Sequence, residues 1–139
     1  MKNEFNFFHS LRVRFSETDG HGHVFNANYL IYFEVAITEY FRHFNLLNPD
    51  YFPEQKPILY VKEVQAKYYQ PILFDQEIEI YVRINELRQH SLQFTLEIFF
   101  PNNDTLLATG KLIWINIDPV LKVKKEFPVP FIKRIQELN

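Results

Sequence analysis

The chain has 139 residues, 47% of them hydrophobic and 17% aromatic, with a net charge of −2 and no cysteine. That length suits one domain that buries a core without covalent staples, and that composition excludes a disordered chain. The charge lacks the cationic face a nucleic-acid partner requires, and the missing cysteine excludes disulfides, a thiol nucleophile and a thiolate metal site.

In chain order, the opening MKNEFNFFHS has no apolar segment of the signal-peptide kind. Leu11, Val13 and Phe15 then alternate with Arg12, Arg14 and Ser16, the period of a half-buried strand. A short segment follows with one carboxylate at Asp19, two of the chain's three glycines at Gly20 and Gly22, and histidines at 21 and 23. NANYLIYFEVAITEYFRHFNLL carries neither proline nor glycine. Its polar members Glu34, Thr38 and Arg42 recur every fourth residue, while Tyr29, Leu30, Ile31, Phe33, Ala36, Ile37, Tyr40 and Phe41 take nearly everything else. A helix apolar over most of its circumference is expected to be wrapped by the rest of the chain.

NPDYFPEQKP, with three prolines, is a loop. The remainder reads as strands: ILYVKEVQAKYYQP; DQEIEIYVRINEL, with Ile78, Ile80, Val82 and Ile84 on one face; HSLQFTLEIFF, with Leu92, Phe94, Leu96 and Ile98 on one face; and TLLATGKLIWINI after the turn PNND. An irregular tail leads to a short terminal helix at FIKRIQEL. Consecutive strands with short links predict an antiparallel sheet that shelters the single long helix, an α+β layer arrangement. No run of about 18 apolar residues exists, so no membrane span is expected and a cytoplasmic protein follows.

RFSETDGHGHVFNANYLIYFE resembles the signature of the 4-hydroxybenzoyl-CoA thioesterase family of hotdog-fold acyl-CoA thioesterases, in its YbgC-like branch: a strand, a T-D-x-x-G-x-V turn, then N-Y-L-x-Y-F-E on the central helix. VKEVQAKYYQPILFDQEIEI and LLATGKLIWINID resemble later strands of the same family, so the likeness spans nearly the whole chain as a single domain, 1–139. The resemblance implies a hotdog fold, a curled antiparallel sheet around one helix. It implies Asp19 as the catalytic aspartate, and a site lined by Gly22, His23, Asn26, Asn28 and Tyr29. The substrate it implies is an acyl-CoA, or an acyl-carrier-protein thioester, with no cofactor and no metal. Asn26 stands where many members of the branch carry a histidine, and an amide cannot titrate as a base.

Thioester hydrolysis needs a polarised carbonyl and an activated water or nucleophile. N–H groups at the start of the long helix could supply the first, with the Asn26 backbone as the candidate donor and Gly22 allowing close approach. Asp19 could supply the second, as general base or as nucleophile; on composition alone it reads as a turn or cap residue. Glu34 is either a second acid or an orienting group. Arg88 and His90 in ELRQHS are either contacts for the nucleotide of CoA or a solvated hairpin, and Lys122, Lys124 and Lys125 pose the same choice. A hotdog hydratase would need D-x-N-P-x-H or a catalytic histidine–glutamate pair, neither of which occurs. A non-catalytic acyl-binding protein is the remaining alternative. Exposed sheet edges and the resemblance together predict a homodimer or homotetramer.

Overall fold

The computed structural model describes residues 2–54 and 56–139. Its strands are β1 (Phe8–Arg12), β2 (Leu59–Tyr68), β3 (Glu77–Leu87), β4 (Ser91–Phe99) and β5 (Leu106–Asn116); its helices are α1 (Asn28–His43) and α2 (Val129–Glu137). The alternation in β3 and β4 sends Ile78, Ile80, Val82, Ile84, Leu92, Phe94, Leu96 and Ile98 to the core, each essentially sealed from solvent. All strands pair antiparallel, in the order β1-β3-β4-β5-β2. Succession along the chain is therefore not succession in the sheet. After α1 the chain lays β2 against β5 at one edge, then crosses to place β3 beside β1.

α1 lies on the core face. Its buried residues Tyr29, Tyr32, Phe33, Ala36, Ile37, Tyr40 and Phe41 form one stripe at spacings of three and four. The expectation of a helix covered nearly all round is corrected: Ile31 and Val35, both apolar, are 53% and 39% exposed. A single sheet covers one side of a helix and leaves the other open. α1 ends where Asn45 takes a left-handed backbone (φ 55°) and the Leu46 N–H returns to the Phe41 carbonyl at 2.9 Å.

Phe15 is a second correction. The strand stops at Arg12, and Phe15 begins a single helical turn with its ring 76% exposed, edge-on to Phe74. The cause is local: the Glu17 carboxylate accepts the Arg14 N–H at 2.8 Å and its guanidinium at 2.8 and 3.0 Å, which closes the turn and breaks the alternation.

The third glycine marks a tight contact between helix and sheet. A Cβ on Gly110 of β5 would stand 2.7 Å from the Phe33 ring, which is itself fully buried. Gly110→Ala is expected to cost about 1–3 kcal/mol, the usual penalty of overpacking a tight core. Urea denaturation measures it, and a variant within about 0.5 kcal/mol of the parent would show that Phe33 can give way.

Candidate active site

The turn between Thr18 and Val24 is a miniature hairpin. Thr18 and Val24 form an isolated bridge, the Asp19 N–H donates to the His23 carbonyl at 2.7 Å, and the Gly22 N–H donates to the Asp19 carbonyl at 3.1 Å. Gly22 has φ +79°, a conformation that glycine adopts without penalty. Gly20 has no such requirement, and an added Cβ there would meet nothing within 4 Å. One glycine of the pair is thus demanded by the backbone.

The hairpin turns the Asp19 carboxylate back on its own main chain. Its Oδ1 accepts the His21 N–H at 2.8 Å and the His23 N–H at 3.3 Å. The His21 bond is the main cause holding the carboxyl below the ordinary aspartate value; slight burial opposes it, and the His23 bond adds to it. Both bonds fall on Oδ1, leaving Oδ2 as the oxygen that can meet a water or a carbonyl. The His21 and His23 rings are exposed, 6.4 Å apart. Among the described residues, no group of three or more histidines or carboxylates is placed to hold a metal ion.

The start of α1 has fewer free donors than a bare helix end. The N–H groups of Asn28, Tyr29 and Leu30 donate to the carbonyls of Phe25, Asn26 and Ala27, each three residues back, and the Ala27 N–H donates to the Asn26 side chain. Among the described residues, no chain acceptor takes the Asn26 N–H. The Asn26 carbonyl also accepts the Tyr68 hydroxyl at 3.2 Å, and the Tyr68 ring stands edge-on to Tyr29 at 4.8 Å. Asp19, His23, Asn26, Tyr29, Tyr68 and Tyr69 line one open cavity of about 460 Å³.

Glu17 ties hairpin to helix. Its carbonyl accepts the Phe25 N–H at 2.9 Å and the Asn28 side-chain amide at 2.8 Å; its carboxylate accepts Arg14 and, at 2.8 Å, the hydroxyl of Tyr32. Burial pushes the Glu17 carboxyl up, but the Arg14 and Tyr32 hydrogen bonds outweigh it and the net direction is down. Burial, and then Glu17, push the Tyr32 hydroxyl far above its ordinary value. Asn28 therefore uses its amide to hold the main chain.

The other predicted residues lie apart from Asp19. Glu34 borders a surface depression with Ile31, Val35, Thr38 and Arg42. Arg88 pairs with Glu86 at 2.8 Å beside the β3–β4 turn, and the neighbouring His90 carbonyl accepts the Asn116 N–H. Lys122 and Lys124 are exposed, and Lys125 borders a different cavity, of about 270 Å³.

Sequence reasoning missed Glu17, Tyr32 and Tyr68. The Arg14–Glu17 spacing of three was a readable signal for the first. For Tyr32 the signal was a tyrosine on a buried helix face, whose hydroxyl must find a partner. Tyr68 lies in the stretch VKEVQAKYYQP that resembles a strand of the family, but its closeness to Asn26 is created by the sheet edge.

Residues 13–135 match the thioesterase-like superfamily. The chain is 28% identical over 127 residues to the acyl-CoA thioester hydrolase YbgC of Escherichia coli O157:H7, covering 91% of this chain and 93% of that protein. It is 33% identical over 96 residues to the acyl-CoA thioesterase YbgC of Helicobacter pylori, 68% of each chain. A 1,4-dihydroxy-2-naphthoyl-CoA thioesterase from Synechocystis superposes with a TM-score of 0.83 at 19% identity, covering 95% of this chain and 96% of the other. With its antiparallel sheet laid on one long helix and this match over most of its length, the chain is a hotdog-fold member of the thioesterase-like superfamily.

Proposed function

We propose that this protein hydrolyses the thioester of an acyl- or aryl-CoA, releasing the free acid and CoA, with Asp19 as the reacting carboxylate. The observation that carries the reading is the shared cavity: it is lined both by Asp19, whose carboxylate has one uncommitted oxygen, and by Asn26, whose backbone N–H has no chain acceptor among the described residues. The relatives named above as acyl-CoA thioesterases support the substrate class.

In this reading the thioester carbonyl oxygen accepts the Asn26 N–H, and the start of α1 stabilises the charge that develops there. Asp19 Oδ2 then takes a proton from water, whose oxygen adds to the carbonyl carbon; the carbon–sulfur bond breaks and the thiolate leaves, to be protonated. Alternatively Oδ2 itself attacks, the thiolate leaves, and water hydrolyses the resulting anhydride. His23 and Tyr29 line the acyl path, while Arg88 and His90 are offered as contacts for the nucleotide. Glu34 is assigned an orienting role, because it lies away from the cavity.

A second copy is part of the proposal. β2 is an edge strand, and an extra residue at Lys62 shifts its register between Val61 and Glu63. The shift puts Leu59, Val61, Val64, Ala66 and Tyr68 opposite Asn116, Trp114, Leu112, Gly110 and Ala108, on the face that carries α1. Yet Val61, Val64 and Tyr68 are 47%, 37% and 47% exposed. Pairing of two β2 edges would cover this face and set the Asp19 cavity, which includes Tyr68, at the boundary between subunits.

Asp19→Asn keeps shape and hydrogen-bonding reach but removes base and nucleophile. Turnover is expected to fall by about 100- to 10,000-fold with thermal stability near the parent's. Retention of more than about a tenth of turnover would sink the assignment. Single turnover in ¹⁸O-water probes the two routes: label in the Asp19 carboxylate means an anhydride, while label confined to the product acid favours a general base.

The pH profile follows from the depressed carboxyl. A carboxyl held low in the folded state stays charged, and its stabilisation stays whole, above the unfolded value; both are lost as pH falls through the folded value. The acid limb of kcat/KM is therefore expected below the ordinary aspartate value of 3.8. A limb above that value, in protein shown by circular dichroism to be folded, would point to another base.

Light scattering is expected to give a dimer or tetramer, and Val64→Lys to shift it toward monomer. A fully active monomer in the parent protein would remove the second copy from the account.

A further inference from the structure

The contacts of Glu17 do more than close a turn. Glu17 stands two residues before Asp19. Its carbonyl is held by Phe25 and Asn28, which flank the Asn26 N–H; its carboxylate is held by Arg14 and by Tyr32, one turn into α1 on the buried face. The hairpin that carries the reacting carboxylate and the helix end that carries the carbonyl donor thus meet at one residue. Tyr32 is 2% exposed, so its hydroxyl cannot exchange Glu17 for water without a rearrangement. A hydroxyl-to-carboxylate bond is charge-assisted and stronger than a neutral one.

We propose that Glu17 and Tyr32 are positioning residues for Asp19: the Tyr32 hydroxyl, through the Glu17 carboxylate, fixes the Thr18–Val24 hairpin against the start of α1 so that Asp19 Oδ2 and the Asn26 N–H face one carbonyl at the same time. The inference rests on the reading of Asp19 as the reacting group. It assigns Tyr32 a function other than filling the core, and it explains why Glu17, two residues from a second negative charge, keeps Arg14 as a counter-ion. Neither residue touches substrate; both act by geometry. A misplacement of about 1 Å between reacting groups costs on the order of 100-fold in rate, so the loss of one distant hydroxyl is felt in turnover.

The test is Tyr32→Phe, which removes the hydroxyl and leaves the buried ring, measured alone and in the Asp19→Asn background with a CoA-ester substrate that the parent hydrolyses. Tyr32→Phe alone is expected to lower kcat about 10- to 100-fold with KM within about threefold, because the interaction serves the transition state rather than binding. In the Asp19→Asn background it should subtract nothing further, since a positioning residue has no effect once the positioned group is gone. Glu17→Gln, which keeps an acceptor for Tyr32 but gives up the charge, should fall between the parent and Tyr32→Phe. The inference is overturned if Tyr32→Phe leaves kcat within about threefold of the parent while Asp19→Asn is inactive. It is also overturned if Tyr32→Phe slows the Asp19→Asn enzyme by the same factor as the parent, or if the loss equals the loss of folded protein by circular dichroism. An Asp19→Asn protein with near-parental turnover would instead overturn the reading of Asp19, and this inference with it.

Discussion

The contact on which the rest depends is the Phe33 ring seated on Gly110. A strand residue with no side chain leaves room on β5 for the Phe33 ring of α1, and the ring in that gap is one fixed point for the seat of the helix on the sheet. Farther along, Phe41 meets Phe94 and Trp114 edge-on at 5.8 and 5.9 Å, a second fixed point on the same face. With rotation fixed at two places, Tyr29, one turn before Phe33, and Tyr32, immediately before it, have no freedom of direction. Tyr29 must face Tyr68 and Tyr32 must face Glu17. The position of the cavity is thus tied to core packing downstream of the hairpin that supplies its carboxylate.

That hairpin resolves a conflict between holding a carboxylate still and keeping it reactive. Backbone N–H groups hold Asp19 firmly, but each bond they make to the charged form weakens it as a base. Placing both on Oδ1 limits the conflict, since one oxygen is anchored and the other stays open. Under the proposed hydrolysis the carboxylate gains by placement what it gives up in basicity, and closure of substrate over the cavity would strip water and return part of that basicity. A similar division holds at the helix start, where three of the early N–H groups bond internally and the Asn26 N–H is left over.

The open side of α1 and the β2 edge belong together. Ile31 and Val35 are apolar, as are Val61, Val64 and the Tyr68 ring, and each is more than a third exposed. The extra residue at Lys62 keeps the apolar members of β2 on the helix-bearing face along the whole strand. An edge with spare backbone hydrogen-bonding capacity, next to an apolar strip, is what a monomer normally avoids by charge or by cover. The proposed second copy satisfies both requirements at once.

Local signals in the sequence located most of the main elements: the period of two in β3 and β4, the proline- and glycine-free run of α1, the proline-rich loop after it and the short terminal helix; the alternation put the first strand at residues 11–16, whereas β1 is Phe8–Arg12. Asp19 was singled out by the resemblance of its motif to the thioesterase family, since by local signals alone it reads as a turn or cap residue; a turn at Gly20 and Gly22 was legible locally. Where a local interaction competed with the pattern, the pattern failed: the Arg14–Glu17 bonds ended the first strand's alternation and sent Phe15 outward. The tertiary structure decided which strands are neighbours, which side of an almost wholly apolar helix is covered, and that Tyr68, more than forty residues from the turn, lines the cavity. Periodicity reports which face of an element is apolar, but pairing order and register depend on contacts between residues far apart in the chain. Those contacts are set by how a ring such as Phe33 fits a gap such as Gly110, and the fit exists only once both have been brought together.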